Sequence, residues 1–125
     1  MKINFEDERP IFQQIAESIE DGILVGAYPE EEQVPSTTEI SVTYKINPAT
    51  ALKGINQLVE EGILYKRRGI GMFVAKGATQ KVKEKRKAVF FDQYVMRLTR
   101  EAKRLNFNFE EIIELLERSY KNEQD

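Results

Sequence analysis

A cluster of basic residues between two apolar segments is the part of this chain best suited to chemistry. The cluster and the glycines that follow it comprise Lys66, Arg67, Arg68, Gly69 and Gly71. Guanidinium and ammonium groups bind phosphate, and glycine allows a chain to turn tightly. The apolar segments 63–65 and 72–75 on either side predict two short strands. The pattern therefore predicts a basic β-hairpin that can reach the phosphates or the minor groove of DNA.

The composition excludes several other kinds of site. The 125 residues include no histidine and no cysteine, so the commonest catalytic base, thiolate metal sites and disulfides are absent. The acidic residues show no convergent pattern, and we expect no enzyme, no metal and no cofactor. No apolar run approaches the roughly 20 residues that span a membrane, and the polar N-terminus does not resemble a signal peptide. We expect a cytoplasmic protein without a membrane partner.

Charge is distributed unevenly along the chain. The whole chain carries −2, but residues 1–35 carry −7, residues 36–87 carry +7 and residues 88–125 carry −2. Salt screens charges beyond about 10 Å, so a local basic surface matters more to a polyanion than the total charge. The middle segment is therefore the predicted DNA-binding part, whereas the acidic loop at 28–35 is expected to be solvated.

Capping signals place two helices directly before the hairpin. Ser36 and Glu39 form a capping box at the start of one helix. Asn47 caps a second helix, with Pro48 at its first position, and Gly62 ends it. A short turn near 44–47 joins the two helices. Together with the hairpin, this predicts a winged helix-turn-helix whose second helix enters the major groove.

Apolar stripes predict one helix before this motif and two after it. The first begins at Pro10 and ends near Gly26. A long helix starts near Thr79, where apolar residues recur at alternating spacings of three and four, as in a heptad seam. Asn108 caps the last helix. The predicted dimer-interface residues are Phe91, Val95, Leu98, Ala102, Leu105, Ile112, Ile113 and Leu116.

The tail after residue 88 has two possible partners. Its seam could pack onto the winged helix of the same chain, or onto a second copy. We favour a homodimer, because 38 residues offer too little surface to bury both helices, and two-fold proteins match palindromic operators. The sequence thus predicts a mainly α (α+β) fold, with a winged helix-turn-helix domain at 1–77 and a two-helix dimerisation tail at 78–125.

The order of these motifs resembles the GntR family of bacterial transcription regulators. The family's opening resembles residues 10–15, its Leu-Pro-Ser element resembles residues 34–36, and its wing signature resembles residues 67–74. The turn at 47–50 is similar to that of the short YtrA-type branch, which has a short helical dimerisation tail. The resemblance implies a DNA-binding regulator without a large effector domain.

This chain departs from the family pattern at three positions. Thr38 stands where the family usually has an arginine that contacts DNA, Ala49 stands at an often polar position, and Met72 stands at a usual threonine. Loss of the arginine removes a bidentate contact to phosphate or guanine. The sequence therefore predicts weaker DNA binding at this position than the family's arginine provides.

The candidate DNA-binding residues come from the helix starts, the turn and the hairpin. They are Ser36, Thr37, Thr38, Lys45, Asn47, Ala49, Thr50, Lys53, Arg67, Arg68, Gly69 and Gly71. Ser36 and Asn47 could serve only as caps, Lys53 could be a solvated lysine, and the glycines could serve only the turn. The basic run at 81–87 could be a solvated helix face or a second DNA contact.

Two functions remain open from the sequence. The first is a repressor that binds a palindromic operator in double-stranded DNA as a homodimer. The alternative is a winged-helix module used for protein contact or for sequence-indifferent DNA binding. The sequence identifies no small-molecule effector, although a cleft between two copies could hold one.

Overall fold

The computed structural model of this chain describes residues 1–123 as a series of helices with one hairpin. The elements are α1 (Ile11–Leu24), α2 (Thr37–Tyr44), α3 (Pro48–Glu60), β1 (Leu64–Arg67), β2 (Gly71–Val74), α4 (Ala78–Phe90), a π-helical turn (Phe91–Val95), α5 (Met96–Arg104) and α6 (Phe109–Asn122). The two strands are antiparallel neighbours. This confirms the predicted mainly helical fold with a small β-hairpin.

Local capping explains where the helices begin. The Ser36 hydroxyl accepts a hydrogen bond from the Glu39 backbone, and the Glu39 carboxylate accepts one from the Ser36 backbone. Asn47 caps α3, and Pro48 occupies its first turn. Pro10 precedes α1 instead of opening it, since its ψ of 145° is not helical. The predicted helix starts are otherwise confirmed.

The core lies between α1, α2, α3, the hairpin and the start of α4. Its largest fully buried apolar side chains are Ile15, Ile19, Ile40, Ile55, Leu58, Ile63, Leu64, Val74 and Val82. Burial of each such side chain contributes about 1.5–3 kcal/mol. The four-residue spacing of the isoleucines on α1 lines them up against α3, which holds the helix-turn-helix together.

The hairpin differs in detail from the prediction. Leu64 pairs with Val74 and Arg67 pairs with Gly71, so Lys66 and Arg67 belong to β1 and the turn is confined to residues 68–70. Both strands are therefore displaced towards the turn relative to the prediction, and the adjacent Lys66 and Arg67 of β1 are both exposed, where basic side chains are tolerated.

The acidic loop is not a simple solvated loop, which corrects the prediction. Its Glu31 N–H donates to the Val74 carbonyl at 2.8 Å, and its Val34 N–H donates to the Met72 carbonyl at 3.0 Å. Residues 31–34 therefore line the free edge of β2. The Glu30 carboxylate accepts hydrogen bonds from the backbones of Gly77 at 2.7 Å and Thr79 at 3.2 Å, at the start of α4.

The chain divides into two compact units, and the first ends at Lys85. The sequence placed the boundary after residue 77, but Ala78 and Val82 of α4 are fully buried in the first core. Lys85 also binds this unit, because its ammonium lies 2.6 Å from the Glu20 carboxylate and 2.8 Å from that of Glu61. Partial burial by itself lowers the pKa of Lys85, but these hydrogen bonds outweigh it and raise the pKa above its ordinary value.

The second unit begins at Arg86 and contains the predicted seam. A π-helical turn interrupts the seam at Phe91–Val95, so the heptad spacing does not continue through one regular α-helix. Ala102, one of the predicted interface residues, is 8% exposed in the single chain and offers a partner little surface. Asn108 and Glu111 form the expected capping box of α6. The last two residues of the predicted tail, 124 and 125, lie outside the described residues.

No helix among residues 1–123 combines the length and the apolar character that crossing a membrane requires.

Candidate nucleic-acid interface

The start of α2 presents three of the candidate residues. Ser36 accepts the Glu39 N–H at 3.0 Å, which makes the hydroxyl oxygen a cap and leaves its proton able to donate. Thr37 is half-buried, whereas Thr38 is exposed. The backbone N–H groups of a first helical turn point outward and favour an anion such as phosphate. Of the three side chains, the exposed Thr38 is therefore the one most accessible to DNA.

The turn between α2 and α3 is held by its own hydrogen bonds. Lys45 adopts a left-handed conformation with φ 54°. The Ser41 hydroxyl donates to the Ile46 carbonyl at 2.6 Å, and the Ile46 N–H donates to the Ser41 carbonyl at 3.0 Å. Ile46 is buried beneath the turn. These contacts fix the direction in which α3 leaves the turn and keep the Lys45 side chain exposed.

The outer face of α3 carries the residues that can reach base edges. The Asn47 side chain accepts the Ala49 N–H at 2.8 Å, so its oxygen serves as a cap. Ala49 is exposed and Thr50 is half-buried. Short side chains near a helix start allow the backbone to approach the groove closely.

Sequence reasoning missed Leu52 and Asn56, which are exposed on the same helix. They follow Ala49 by three and seven residues, a spacing that places residues on one face of an α-helix. This spacing was readable from the sequence. Leu52 is 43% exposed although it is apolar, and an apolar side chain can contact the methyl group of thymine.

Lys53 is neither freely solvated nor pointed straight outward. Its ammonium lies 4.1 Å from the centroid of the Phe12 ring on α1. A cation over an aromatic face is worth about 0.5–1 kcal/mol at an exposed site. The ring therefore restrains the lysine beside the outer face of α3.

The two wing arginines have different surroundings. The Arg67 guanidinium lies 4.8 Å from the centroid of the Phe73 ring on the paired strand. Arg68 is exposed at the first position of the turn. The sequence alone does not distinguish the two arginines. Which of them lies over a ring depends on how the strands pair, and the sequence does not show that pairing.

Both wing glycines are required by the chain itself. Gly69 has φ +76° and Gly71 has φ +146°, conformations that side chains disfavour. A Cβ at Gly71 would lie 2.5 Å from the Gln33 amide nitrogen, whereas a Cβ at Gly69 would meet no described atom within 4 Å. The turn explains both glycines, and only Gly69 leaves open space for DNA.

The basic run at 81–87 is partly structural. Lys85 binds the carboxylates of Glu20 and Glu61, and the Lys81 ammonium donates to the Gly62 carbonyl at 3.3 Å. Both interpretations from the sequence, a solvated face and a second DNA contact, therefore leave out the structural contacts that these two lysines make.

Comparison with known proteins agrees with this geometry. Residues 11–74 match the family model described as bacterial regulatory proteins, gntR family. The chain is 30% identical over 101 residues to the uncharacterized regulator YhcF of Bacillus subtilis, covering 81% of this chain and 75% of YhcF. It is 34% identical over 76 residues to the transcriptional repressor NagR of the same organism, covering 61% of this chain and 31% of NagR. The chain thus spans about a third of the length of NagR.

Solved structures show the same fold over most of the chain. A putative GntR-family regulator from Bacteroides thetaiotaomicron is 32% identical, with a TM-score of 0.71 over 91% of this chain and 99% of that one. A GntR-family regulator from Listeria monocytogenes is 26% identical, with a TM-score of 0.72 over 91% and 98%. Proteins of this family are transcription regulators and not enzymes, as the composition predicted. This chain belongs to the GntR family of DNA-binding transcriptional regulators.

Proposed function

We propose that this protein is a cytoplasmic repressor that binds a palindromic operator as a homodimer. The main support for a dimer is the apolar surface of the second unit. Its exposed large apolar residues are Val89, Phe90, Phe91, Tyr94, Leu98, Leu105, Phe107, Phe109, Ile113, Leu116 and Tyr120. Monomeric soluble proteins rarely expose apolar patches of this kind, which mark interaction sites.

The last helix in particular needs a partner. None of the α6 residues is buried within the described part of the chain, although Ile113 and Leu116 lie on one face of it. A helix with an apolar face gains most of its stability from packing that face against another element. A second copy of the tail supplies such an element.

Charge supports a second copy as that partner. The α5 helix carries four basic residues and Glu101, a net charge of +3, whereas α6 carries four glutamates together with Arg118 and Lys121, a net charge of −2. Opposite charges across an interface favour correct association and disfavour wrong partners. Because α5 and α6 of a single chain carry opposite net charges, two copies can present complementary surfaces to each other.

The first unit would then supply one DNA-binding head per subunit. In this proposal the outer face of α3 enters the major groove, with Ala49, Leu52 and Asn56 towards the base edges. The start of α2 and the exposed Arg68 of the wing contact the backbone or the minor groove. A two-fold dimer of such heads matches a palindromic site.

Repression is inferred from relatives. NagR and YtrA of Bacillus subtilis are both described as transcriptional repressors. In this proposal, occupancy of the operator by the dimer blocks transcription.

Selection of bound duplexes from a random-sequence pool tests this function. The expected result is an enriched palindrome, footprinted symmetrically, that lowers expression of a reporter placed behind it. The alternative function, sequence-indifferent binding, is favoured by Thr38, which lacks the reach of an arginine. Recovery of DNA without any shared motif would support that alternative and contradict the proposed operator.

A further inference from the structure

Gln33 reaches from the body of the first unit to the tip of the wing. Its side-chain amide donates a hydrogen bond to the Ile70 carbonyl at 3.0 Å. Ile70 is the last residue of the three-residue turn between the strands, and its side chain is 56% exposed. A residue 37 positions earlier in the chain therefore hydrogen-bonds to the turn of the wing.

The backbone of Gln33 is held in place by β2. Its backbone pairs with Phe73 of β2 in an antiparallel bridge, and Glu31 and Val34 beside it hydrogen-bond along the same strand. The glutamine side chain consequently starts from a backbone that the wing itself restrains.

The wing accommodates this contact through Gly71. A Cβ at that position would lie 2.5 Å from the Gln33 amide nitrogen. The glycine thus provides the space in which the amide approaches the turn. The turn contributes one further backbone hydrogen bond, from the Ile70 N–H to the Arg67 carbonyl at 2.9 Å.

We propose that Gln33 is a positioning residue for DNA binding: by holding the Ile70 carbonyl, it fixes the wing tip that presents Arg68 to DNA. The inference rests on the wing contact described under the proposed function. Binding of a mobile loop includes the cost of ordering it, whereas a loop that is already ordered avoids this cost. Gln33 therefore acts through Arg68 and does not itself contact DNA.

The variant Gln33→Met tests this inference, because methionine has a similar length but neither a charge nor an amide donor. Binding is measured at one fixed salt concentration on the duplex selected by the wild-type protein and on a random duplex of equal length. We expect affinity to fall about three- to tenfold per half-site, the range expected from ordering one mobile side chain on binding. The thermal midpoint should fall by only a few degrees, because one exposed hydrogen bond is lost and the core is untouched.

Backbone order parameters of Gly69, Ile70 and Gly71, measured by NMR in the free protein, report the positioning directly. They should fall in Gln33→Met. The matched control is Gln80→Met on α4, where the exposed amide donates to Glu84 of its own helix. This control should leave both affinity and wing order unchanged.

A double-mutant cycle separates positioning from other roles. In the Arg68→Ala background, Gln33→Met should change affinity by less than about twofold, because the group being positioned is gone. A full effect in that background would overturn the proposal, since it would show a direct DNA contact or a general effect on the fold. Unchanged affinity, or unchanged order at the wing tip, would overturn it as well.

The proposed function fails separately from this inference. A wild-type protein that selects no duplex and does not bind random DNA would contradict the DNA contact of the wing. The order parameters of the free protein would then still show whether Gln33 holds the turn.

Discussion

Single side chains of the wing differ in what they are free to do. Arg67 and Arg68 are both exposed, but the Arg67 guanidinium lies over the Phe73 ring. Arg67 could reach DNA only by giving up this ring contact, which is worth about 0.5–1 kcal/mol at an exposed site. The difference between the two arginines follows from strand register and leads to a prediction.

Arg68→Ala should weaken DNA binding more than Arg67→Ala. If Arg68 contacts phosphate, its loss should weaken all sequences alike and reduce the slope of log affinity against log salt by about one per subunit. If it contacts a base, its loss should cost about 1–3 kcal/mol and relax one position of the site. Salt titrations of both variants on the selected duplex provide the measurement. Equal losses would show that the ring contact does not restrain Arg67.

Thr38→Arg should strengthen DNA binding. Thr38 is exposed near the start of α2, and a guanidinium there would replace a short hydroxyl with a charge-assisted contact. A gain on the selected site alone indicates that the arginine contacts a base, and an equal gain on random DNA indicates phosphate.

The control for that variant is Thr43→Arg, an exposed position nearer the end of the same helix. It adds the same charge away from the helix start and should raise affinity less. If both variants gain equally, the start of α2 is not specially placed against DNA.

At the scale of elements, helix α4 is tied to the first unit at two points. Its start is capped by Glu30, and Lys85 binds carboxylates from α1 and α3. Neither contact belongs to the local pattern of α4, whose sequence is mainly polar. Tertiary contacts therefore determine where this helix lies on the first unit.

Glu30→Gln should reduce stability at neutral pH but not in acid. Backbone hydrogen bonds from Gly77 and Thr79 hold the pKa of Glu30 below its ordinary value of 4.5. The stabilisation is therefore present above that value and disappears as the pH falls through the folded-state pKa. Urea unfolding of both proteins at neutral pH and at about pH 3 should show the difference vanish.

Glu32→Gln is the control, because Glu32 is a neighbouring exposed carboxylate. Its effect should be small at both pH values. A constant difference between wild type and Glu30→Gln across the range would contradict the role of the Glu30 charge.

Lys85→Met should lower the free energy of unfolding by about 1–3 kcal/mol. The partner Glu20 is 2% exposed, and removing one member of a buried ion pair is usually worth about 3–5 kcal/mol. The lower figure reflects the partial exposure of Lys85. Lys87→Met, at an exposed position two residues on, should change stability by less than about 0.5 kcal/mol. Equal effects in the two variants would mean that the Glu20 contact adds nothing.

At the scale of the whole molecule, the proposed dimer depends on the second unit. Leu98 is 41% exposed in the single chain and lies on α5, beyond the π-helical turn. Covering such residues with a second copy removes apolar surface from water, at about 25 cal/mol per Å². A charge placed there would have to be buried without a partner.

Leu98→Asp should therefore yield monomers, whereas the wild-type chain should sediment as a dimer. Thr99→Asp is the matched control, since it introduces the same charge at the adjacent exposed position. Circular dichroism checks that helix content is kept. A wild-type monomer, or equal dissociation in both variants, would refute the proposed interface.

Much of the fold was predictable because its signals are local. The capping boxes at Ser36 and Asn108 join residues three positions apart, and the apolar stripe of α1 has helical spacing. Local pairs of this kind are visible in the order of residue types. The family resemblance rested on the same short motifs, and the family match confirmed it.

The remaining contacts join residues that no local pattern connects. Gln33 and Ile70 are 37 positions apart, Glu30 and Gly77 are 47 apart, and Lys85 and Glu20 are 65 apart. Each of these side chains resembled a solvated surface residue in the sequence, because composition and spacing do not encode which distant partner a charge or an amide meets. The sequence by itself determined the helices, the wing and the family. Only the tertiary structure decided that Gln33 holds the turn of the wing, that Glu30 holds the start of α4, and that Lys85 joins α4 to α1.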